Sequence, residues 1–364
     1  SGFTSTGFTI FDNIKHLDES LIIWRSSSQW IGGLYFLFSI LLLIDIFDDN
    51  LKKTLTNFLS FNSSEIFKQF FKILVFYIFL TFIIFIIYNI FEIRSFNSLN
   101  LALTVVSSGG FLPSNNLASI LNSEIKIIMF SLTLLVSFFG LFFSYNIFVI
   151  RNKGLKSVQE DIYLLFYLFF LYSIFFIFSD KNIDFHYIFL AISSSVSNVG
   201  ISLDKTTQNF SFIFLMIIII GGSFFSTSSG LRFIKIYSLV KFSINELISH
   251  SKPKNIFLNK LAFSDKNMNI EDFYKYFLTI IIFLFSLIIL SSILTISGYN
   301  VEESFKLSIL TLMNTVNSSM TGLNGFNFEE TNYFLKYSLI LFMIIGRVEL
   351  LTVLILCKKF FFKN

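Results

Sequence analysis

The sequence predicts an all-α polytopic membrane protein, and its composition and its apolar segments support that prediction. Of the 364 residues, 54% are hydrophobic and only 14% are charged, against roughly 25% charged residues in a soluble domain. A bilayer is crossed by roughly 20 apolar residues in a helix. Segments that approach or reach this length occupy residues 71–90, 129–150, 164–178, 277–296 and 337–357. A soluble fold would not contain several of them.

The apolar segments predict about seven crossings, and the Lys and Arg residues between them predict the orientation. The crossings are placed at about 26–46, 67–92, 125–150, 160–179, 208–240, 273–297 and 334–357. Lys and Arg cluster in the stretches that begin near residues 47, 151, 241 and 358, and they are scattered in the others. Because positive charge marks the cytoplasmic side, the C-terminus is predicted to be cytoplasmic. The opening segment SGFTSTGFT is then on the outer side.

The outer stretches repeat a short motif of small polar residues and glycine. The motifs are FTSTGFT at 3–9, VVSSGGFL at 105–112, SVSNVGIS at 195–202 and SSMTGLNG at 318–325. Apolar segments too short to span a membrane precede the last three motifs, at 98–106, 187–196 and 304–316. This pattern predicts a fourfold pseudo-repeat of helix, pore half-helix, filter loop and helix, with units 1–50, 51–155, 156–245 and 246–364. Since no such segment precedes the first motif, we expect the chain to lack the start of its first repeat.

Four such loops around one axis would form a cation filter. Non-helical backbone at membrane depth is tolerated where it is buried in protein or lines a water-filled cavity. Rings of backbone carbonyls in such a cavity can replace the hydration shell of a cation. The motifs contain no Asp or Glu, which argues against a calcium-type carboxylate ring. The predicted ion-binding residues are Ser5, Thr6, Gly7, Ser107, Ser108, Gly109, Asn198, Val199, Gly200, Met320, Thr321 and Gly322.

The fifth crossing is interrupted by the sequence GGSFFSTSSG, and this predicts a loop inside the membrane. We interpret the loop as a gate beneath the filter; the alternative is a kink that packs small residues against a neighbouring helix. Arg347 in the last crossing is predicted to face the pore and touch this loop, the alternative being an ion pair with Glu349 or another buried acid. Arg232 is expected only to snorkel towards the cytoplasm. The predicted gate residues are Gly221, Gly222, Ser223, Ser226, Thr227, Ser228, Ser229, Gly230 and Arg347.

Three stretches resemble the pore-forming subunit of the Trk/Ktr/HKT superfamily of potassium transporters, nearest the bacterial Trk type. They are SGFTSTGFT with WRSSSQWIGG at 24–33, GGSFFSTSSGLRFIK at 221–235, and IIGRVEL at 344–350. The resemblance implies a filter glycine in each repeat, mapped onto Gly7, Gly109, Gly200 and Gly322. It also implies a homodimer with one pore per chain, a bacterial cytoplasmic (inner) membrane, and a separate cytoplasmic nucleotide-binding regulatory subunit.

The third and fourth motifs depart from the family pattern, so the sequence leaves several functions open. SNVG stands where the family more often has Thr-Gly, and SMTGLNG stands where a motif ending in Gly-Pro-Gly is more usual. Cation conduction is therefore better supported than potassium selectivity. The alternatives are a sodium-permeable or cation-symport variant and a non-conducting scaffold derived from such a pore. No nucleophile–base pair, metal-ligand spacing or phosphate loop is seen, so we predict a non-enzyme without a cofactor or nucleic-acid partner, with potassium as the transported ligand.

Overall fold

The computed structural model describes residues 1–11, 13–47, 66–141, 143–144, 159–178, 183–203, 210–249, 270–323, 326 and 328–348. Within these ranges the chain forms α-helices and short 3-10 turns, with no β-strand. The eleven α-helices of the described residues are α1 (Glu19–Phe47), α2 (Ile66–Ile90), α3 (Ser95–Val106), α4 (Glu124–Phe138), α5 (Gln159–Phe178), α6 (Phe185–Val196), α7 (Ser211–Ile219), α8 (Phe233–Ser249), α9 (Ile270–Ile296), α10 (Val301–Leu312) and α11 (Tyr333–Val348).

Three of the long helices match predicted crossings. Segments Phe67–Ile90 of α2, Glu160–Phe178 of α5 and Phe273–Ile296 of α9 are long and apolar enough to cross a bilayer. Helix α1 contains the predicted crossing at 26–46 but begins earlier, at Glu19. The total of seven stays a prediction, because residues 145–150 and 349–357 lie outside the described ranges.

The predicted third crossing differs from the structure. Helix α4 ends at Phe138, because Phe139 adopts an extended backbone with φ −77° and ψ 160°. The carbonyl oxygens of Ser137 and Phe138 instead accept hydrogen bonds from the backbone amides of Ser228 and Ser223. The chain therefore leaves the helix to pair with the interruption of the fifth crossing.

Helices α3, α6 and α10 are short, as the repeat pattern predicts. Each has 12 residues, about 18 Å at 1.5 Å per residue, against a hydrocarbon core of about 30 Å. Helices α3 and α6 end at the predicted residues, but α10 ends at Leu312, four residues before the predicted end at 316. Each short helix packs against at least two others: α3 against α1 and α2, α6 against α4 and α7, and α10 against α9 and α11.

Two glycines inside helices allow close backbone contacts beside the short helices. A β-carbon built on Gly33 of α1 would lie 3.0 Å from Cα of Ser107, directly after α3. One built on Gly346 of α11 would lie 2.3 Å from the carbonyl oxygen of Leu312, the last residue of α10. Glycine costs helix stability relative to alanine, so these positions indicate that tight packing against the ends of α3 and α10 is required.

Of the predicted repeat boundaries, those near residues 50 and 155 lie outside the described residues. The boundary at 245 falls inside α8, which continues to Ser249. The basic clusters at 52–53, 151–156, 252–266 and 358–363 also lie outside the described residues, so the predicted orientation stays a prediction.

Candidate functional site

The chain makes the same backbone turn after each of the three short helices. The second residue beyond each helix has a left-handed backbone: Ser108 with φ 54°, Asn198 with φ 58° and Asn314 with φ 50°. The amide of the following residue then bonds back to the helix, in the pairs Gly109–Thr104 at 2.8 Å, Val199–Ser194 at 3.1 Å and Thr315–Leu310 at 2.9 Å. This six-to-one bond is the mark of a Schellman turn, which satisfies carbonyls at the helix end.

Residues 1–7 carry the same turn at the start of the chain. Ser5 has φ 54°, and the amide of Thr6 bonds to the carbonyl oxygen of Ser1 at 3.0 Å. The shared hydrogen bonds define a common register. We call residues 4–8, 107–111, 197–201 and 313–317 the first to fourth turn segments. In that register the residues after the left-handed one are Thr6 and Gly7, Gly109 and Gly110, Val199 and Gly200, and Thr315 and Val316.

This register differs from the sequence prediction in two segments. In the second segment the counterpart of Gly7 is Gly110, and Gly109 is the counterpart of Thr6. An apolar residue follows the glycine in three segments, namely Phe8, Phe111 and Ile201, and this signal would have selected Gly110.

In the fourth segment the structure does not bring the predicted filter residues to the position after α10. Met320 and Thr321 lie in a separate 3-10 turn, Ser319–Thr321, which ends at Gly322. A β-carbon on Gly322 would meet Lys306 and Ser211, not another turn segment. Thr315 and Val316 hold the corresponding place, so a valine stands where the other three segments have glycine.

Contacts join the four turn segments in a closed cycle. The first and second meet where a β-carbon on Gly7 would lie 2.7 Å from Cα of Gly110. The second and third meet where the hydroxyl of Ser108 donates to the carbonyl oxygen of Ser197. Each remaining junction is a side-chain hydrogen bond: Asn198 Nδ2 to Thr315 Oγ1 at 3.4 Å, and Asn314 Nδ2 to Thr6 Oγ1 at 2.9 Å.

Three of the left-handed residues also tie their segment to the helix that follows it. Ser5 Oγ donates to the carbonyl oxygen of Gln29 in α1 at 3.3 Å. The side-chain amide of Asn198 donates to the carbonyl oxygen of Ile218 in α7 at 2.8 Å. The side-chain amide of Asn314 donates to the carbonyl oxygen of Met343 in α11 at 2.9 Å. These bonds hold each turn against a helix, which keeps its backbone in one conformation.

The turn segments are rich in oxygen atoms that no donor reaches. Among the described residues, no hydrogen bond reaches the backbone carbonyl oxygens of the two residues that follow the left-handed one in each segment. The side-chain oxygens of Asn198 and Asn314 are buried and also lack a partner within the described residues. Buried acceptors without donors are costly, whereas uncharged oxygens are what a dehydrated monovalent cation requires.

Residues 220–232, which we call the interrupting segment, leave the helical path between α7 and α8. The segment is held by its own ends, since the amide of Gly221 bonds to the carbonyl oxygen of Leu231 at 2.8 Å. It also pairs with the end of α4 through Ser223 and Ser228, and the amide of Leu141 bonds to the carbonyl oxygen of Phe225 at 2.9 Å. The predicted interruption is therefore a structured loop that packs against the irregular residues directly after α4.

The interrupting segment contacts the end of α3, directly before the second turn segment. Thr227 Oγ1 donates to the carbonyl oxygen of Val106, the last residue of α3, at 2.8 Å. Arg347 of α11 bridges the two: one guanidinium nitrogen donates to Ser229 Oγ at 2.6 Å and the other to the carbonyl oxygen of Ser107 at 3.2 Å. Glu349, the alternative partner weighed for Arg347, lies outside the described residues.

Arg232 does not snorkel as expected. Arg232 is only 2% exposed, and its Nη1 donates to the carbonyl oxygen of Ser223 and to the hydroxyl of Ser226, each at 3.1 Å. Arg232 and Arg347 both lie over the ring of Phe36, at 5.0 and 4.5 Å from its centroid. The interrupting segment folds back around Arg232 and buries it. The position of Arg232 in the sequence, near the cytoplasmic end of the predicted crossing, could not indicate this burial.

Glu160 and Asp161 were missed by sequence reasoning. Glu160 accepts from Ser223 Oγ at 3.1 Å and from the amide of Phe224 at 3.0 Å. Asp161 accepts from the amide of Gly140 at 3.0 Å, at the break after α4. Acids in a first helical turn are common because they complement the helix dipole. In the sequence, only the position of Glu160 and Asp161 at the start of a predicted crossing could have singled them out as site residues. Together they connect the start of α5 to both broken stretches.

Comparisons with known proteins agree with this architecture. No protein-family model matches the chain. An uncharacterized cation transporter of Methanocaldococcus jannaschii is 23% identical over 377 residues, covering 100% of this chain and 75% of that protein. The Trk system potassium uptake protein TrkG of Escherichia coli is 24% identical over 396 residues, covering 100% of this chain and 78% of that protein.

A solved structure has the same fold. The crystal structure of the potassium transporter TrkH from Vibrio parahaemolyticus superposes with a TM-score of 0.84 over 98% of this chain and 76% of that one, at 17% identity. The predicted all-α membrane fold is therefore confirmed. The two relatives and this structure are described as transporters, not as enzymes.

Proposed function

We propose, on the premise that this chain belongs to the superfamily of Trk-type potassium transporters, that it carries potassium ions across the membrane through a pore lined by its four turn segments. The observation that carries this proposal is the closed cycle of contacts between the segments, with donor-free carbonyls in each. Such carbonyls can replace the water of a passing cation.

The proposed ligands are the backbone oxygens of the residues after each left-handed turn. They belong to Thr6 and Gly7, Gly109 and Gly110, Val199 and Gly200, and Thr315 and Val316. The C-terminal ends of α3, α6 and α10 point their partial negative charge at this site, because each helix ends directly before its segment. The membrane potential would drive entry, with about 2.3 kcal/mol per charge per 100 mV.

The interrupting segment is proposed as the gate of this pore. Its Thr227 contacts Val106, and Arg347 links its Ser229 to Ser107, directly before the left-handed Ser108. Opening would require these bonds to break together with those to Glu160. We also propose, from the family resemblance, four repeats, a homodimer, a cytoplasmic nucleotide-binding subunit, and a place in the bacterial cytoplasmic (inner) membrane.

A second candidate function is a non-conducting scaffold with the same fold. One observation favours it: Val316 places an apolar side chain in the fourth segment, where glycine holds the other three. A sodium-permeable pore is a third candidate, because a valine in place of the fourth glycine changes the size and the oxygen ligands of the site that selects the ion.

The test is rescue of potassium-uptake-deficient cells together with flux in proteoliposomes. We expect growth at low potassium and measurable potassium and rubidium uptake that exceeds sodium uptake. Deleting residues 223–229 should raise flux if the interrupting segment closes the pore. Correctly inserted protein that neither rescues growth nor carries any of the three cations would favour the scaffold.

A further inference from the structure

Val316 differs chemically from its counterparts in the other turn segments. Gly7, Gly110 and Gly200 have no side chain, and a β-carbon on any of them would lie within 2.7 Å of an atom of another turn segment. Val316 adds two methyl groups at the same register position and is only partly buried.

The side chain of Val316 contacts two glycines of the cycle. A β-carbon built on Gly110 would lie 2.5 Å from Val316 Cβ and 3.1 Å from each of its methyl carbons. One built on Gly200 would lie 3.1 Å from Val316 Cγ1. Gly200 belongs to the neighbouring third segment, but Gly110 belongs to the second, which is opposite the fourth in the cycle of contacts. The valine therefore reaches across the ring.

A methyl group in that position opposes ion passage for two reasons. It supplies no oxygen to a cation that has shed its water, and it takes volume that glycine leaves free. Valine is also branched at Cβ, which restricts rotation about χ1, so the methyl groups cannot easily swing out of the path.

We propose that Val316 limits the throughput of this pore and weakens its preference for potassium, an inference that rests on the proposed pore function. The three glycine segments provide the ion path, and the fourth narrows it from one side. Removal of the side chain should restore an open ring without altering the turn, because Val316 lies beyond the bonds that define it.

The test is a side-chain series at one position, Val316→Ile, Val316→Ala and Val316→Gly, with potassium, rubidium and sodium fluxes in proteoliposomes. Potassium flux should rise from isoleucine to valine to alanine to glycine, and the glycine variant should exceed the unsubstituted protein on the order of tenfold. The potassium-to-sodium ratio should rise in the same order. Val316→Ala tests the same point with a less flexible backbone if Val316→Gly does not fold.

Val301→Gly is the matched control, because Val301 is a 72% exposed valine at the start of α10. It should leave flux unchanged. Equal potassium flux across a conducting series would overturn the role of Val316 while leaving the pore intact. If every variant and the unsubstituted protein are inserted but silent, the proposed function itself fails. Conduction by Val316→Gly alone would support the blocking role of Val316 and would overturn potassium transport by the unsubstituted protein.

Discussion

Asn314 and Thr6, near opposite ends of the chain, share a hydrogen bond of 2.9 Å between Nδ2 and Oγ1. The same amide nitrogen also donates to the carbonyl oxygen of Met343 at 2.9 Å. One side chain thus joins the fourth turn segment to the first and to α11. This bond closes the cycle of segments, and it depends on a residue that tolerates the left-handed backbone.

Replacing Asn314 by glycine should destabilise the protein and lower transport. Glycine accepts φ 50° but loses both hydrogen bonds, each worth about 1 kcal/mol. We expect a lower melting temperature in detergent and weaker discrimination of potassium from sodium. Asn314→Ser keeps one hydrogen-bond donor, so its melting temperature and selectivity should lie between those of the unsubstituted protein and those of Asn314→Gly. A Gly variant with unchanged melting and selectivity would contradict this role.

The register of the turn segments can be tested with two matched glycine substitutions. Gly200 and Gly322 both have a positive φ, 73° and 70°, so alanine introduces similar backbone strain at each. A β-carbon on Gly200 would lie 2.5 Å from Thr315 Cγ2, whereas one on Gly322 would have Lys306 Nζ at 3.2 Å and Ser211 Cβ at 3.5 Å as its nearest neighbours. We expect Gly200→Ala to abolish cation flux and Gly322→Ala to retain it. Loss of cation flux in both variants would restore the register inferred from the motifs, which makes Gly322 a filter glycine as well as Gly200.

Arg347 is expected to hold the interrupting segment closed. Arg347→Ala removes the bonds to Ser229 and Ser107, and the basal cation flux should rise several-fold. Ser229→Ala removes only the 2.6 Å bond and should give a smaller rise. Lysine at 347 cannot donate from two separate nitrogens, so Arg347→Lys should resemble alanine more than arginine. Flux that falls in all three well-folded variants would indicate a structural role instead.

Glu160 is expected to brace the same segment from α5. Glu160→Ala removes the acceptor for Ser223 and Phe224, and it should raise basal flux and increase protease sensitivity at the interrupting segment. Glu160→Gln keeps one carbonyl acceptor and should have a weaker effect. Glu124→Ala, an exposed first-turn acid in α4, is the control. Identical proteolysis in the control and Glu160→Ala would argue against a brace.

Much of the fold follows from local patterns in the chain. Long apolar runs predicted α2, α5 and α9, and the short runs before the motifs predicted α3 and α6 with their ends at Val106 and Val196. The end of α10 was predicted four residues late. The stretch after it offers two left-handed turns, at Asn314 and at Gly322, and glycine is the more familiar choice for such a backbone. The structure uses both, with the first ending the helix.

The sequence predicted some of the contacts around the interrupting segment but not all of them, and the ion-binding and gate roles stay predictions. The interruption near Gly221 and the contact of Arg347 with the loop follow from a glycine-rich break and a lone buried charge. The break in α4, the burial of Arg232 and the contacts of Glu160 and Asp161 depend on which segments meet across the membrane, and no local pattern reports this.

Composition and periodicity therefore establish the membrane setting, the short helices and the kind of loop that follows them, because those features arise from hydrophobic length and from residues adjacent in the chain. The partners of each loop, the register of its carbonyls and the place of Val316 across from Gly110 arise from packing between distant segments. Hydrogen bonds such as that between Asn314 and Thr6 select one arrangement among several that the motifs alone allow.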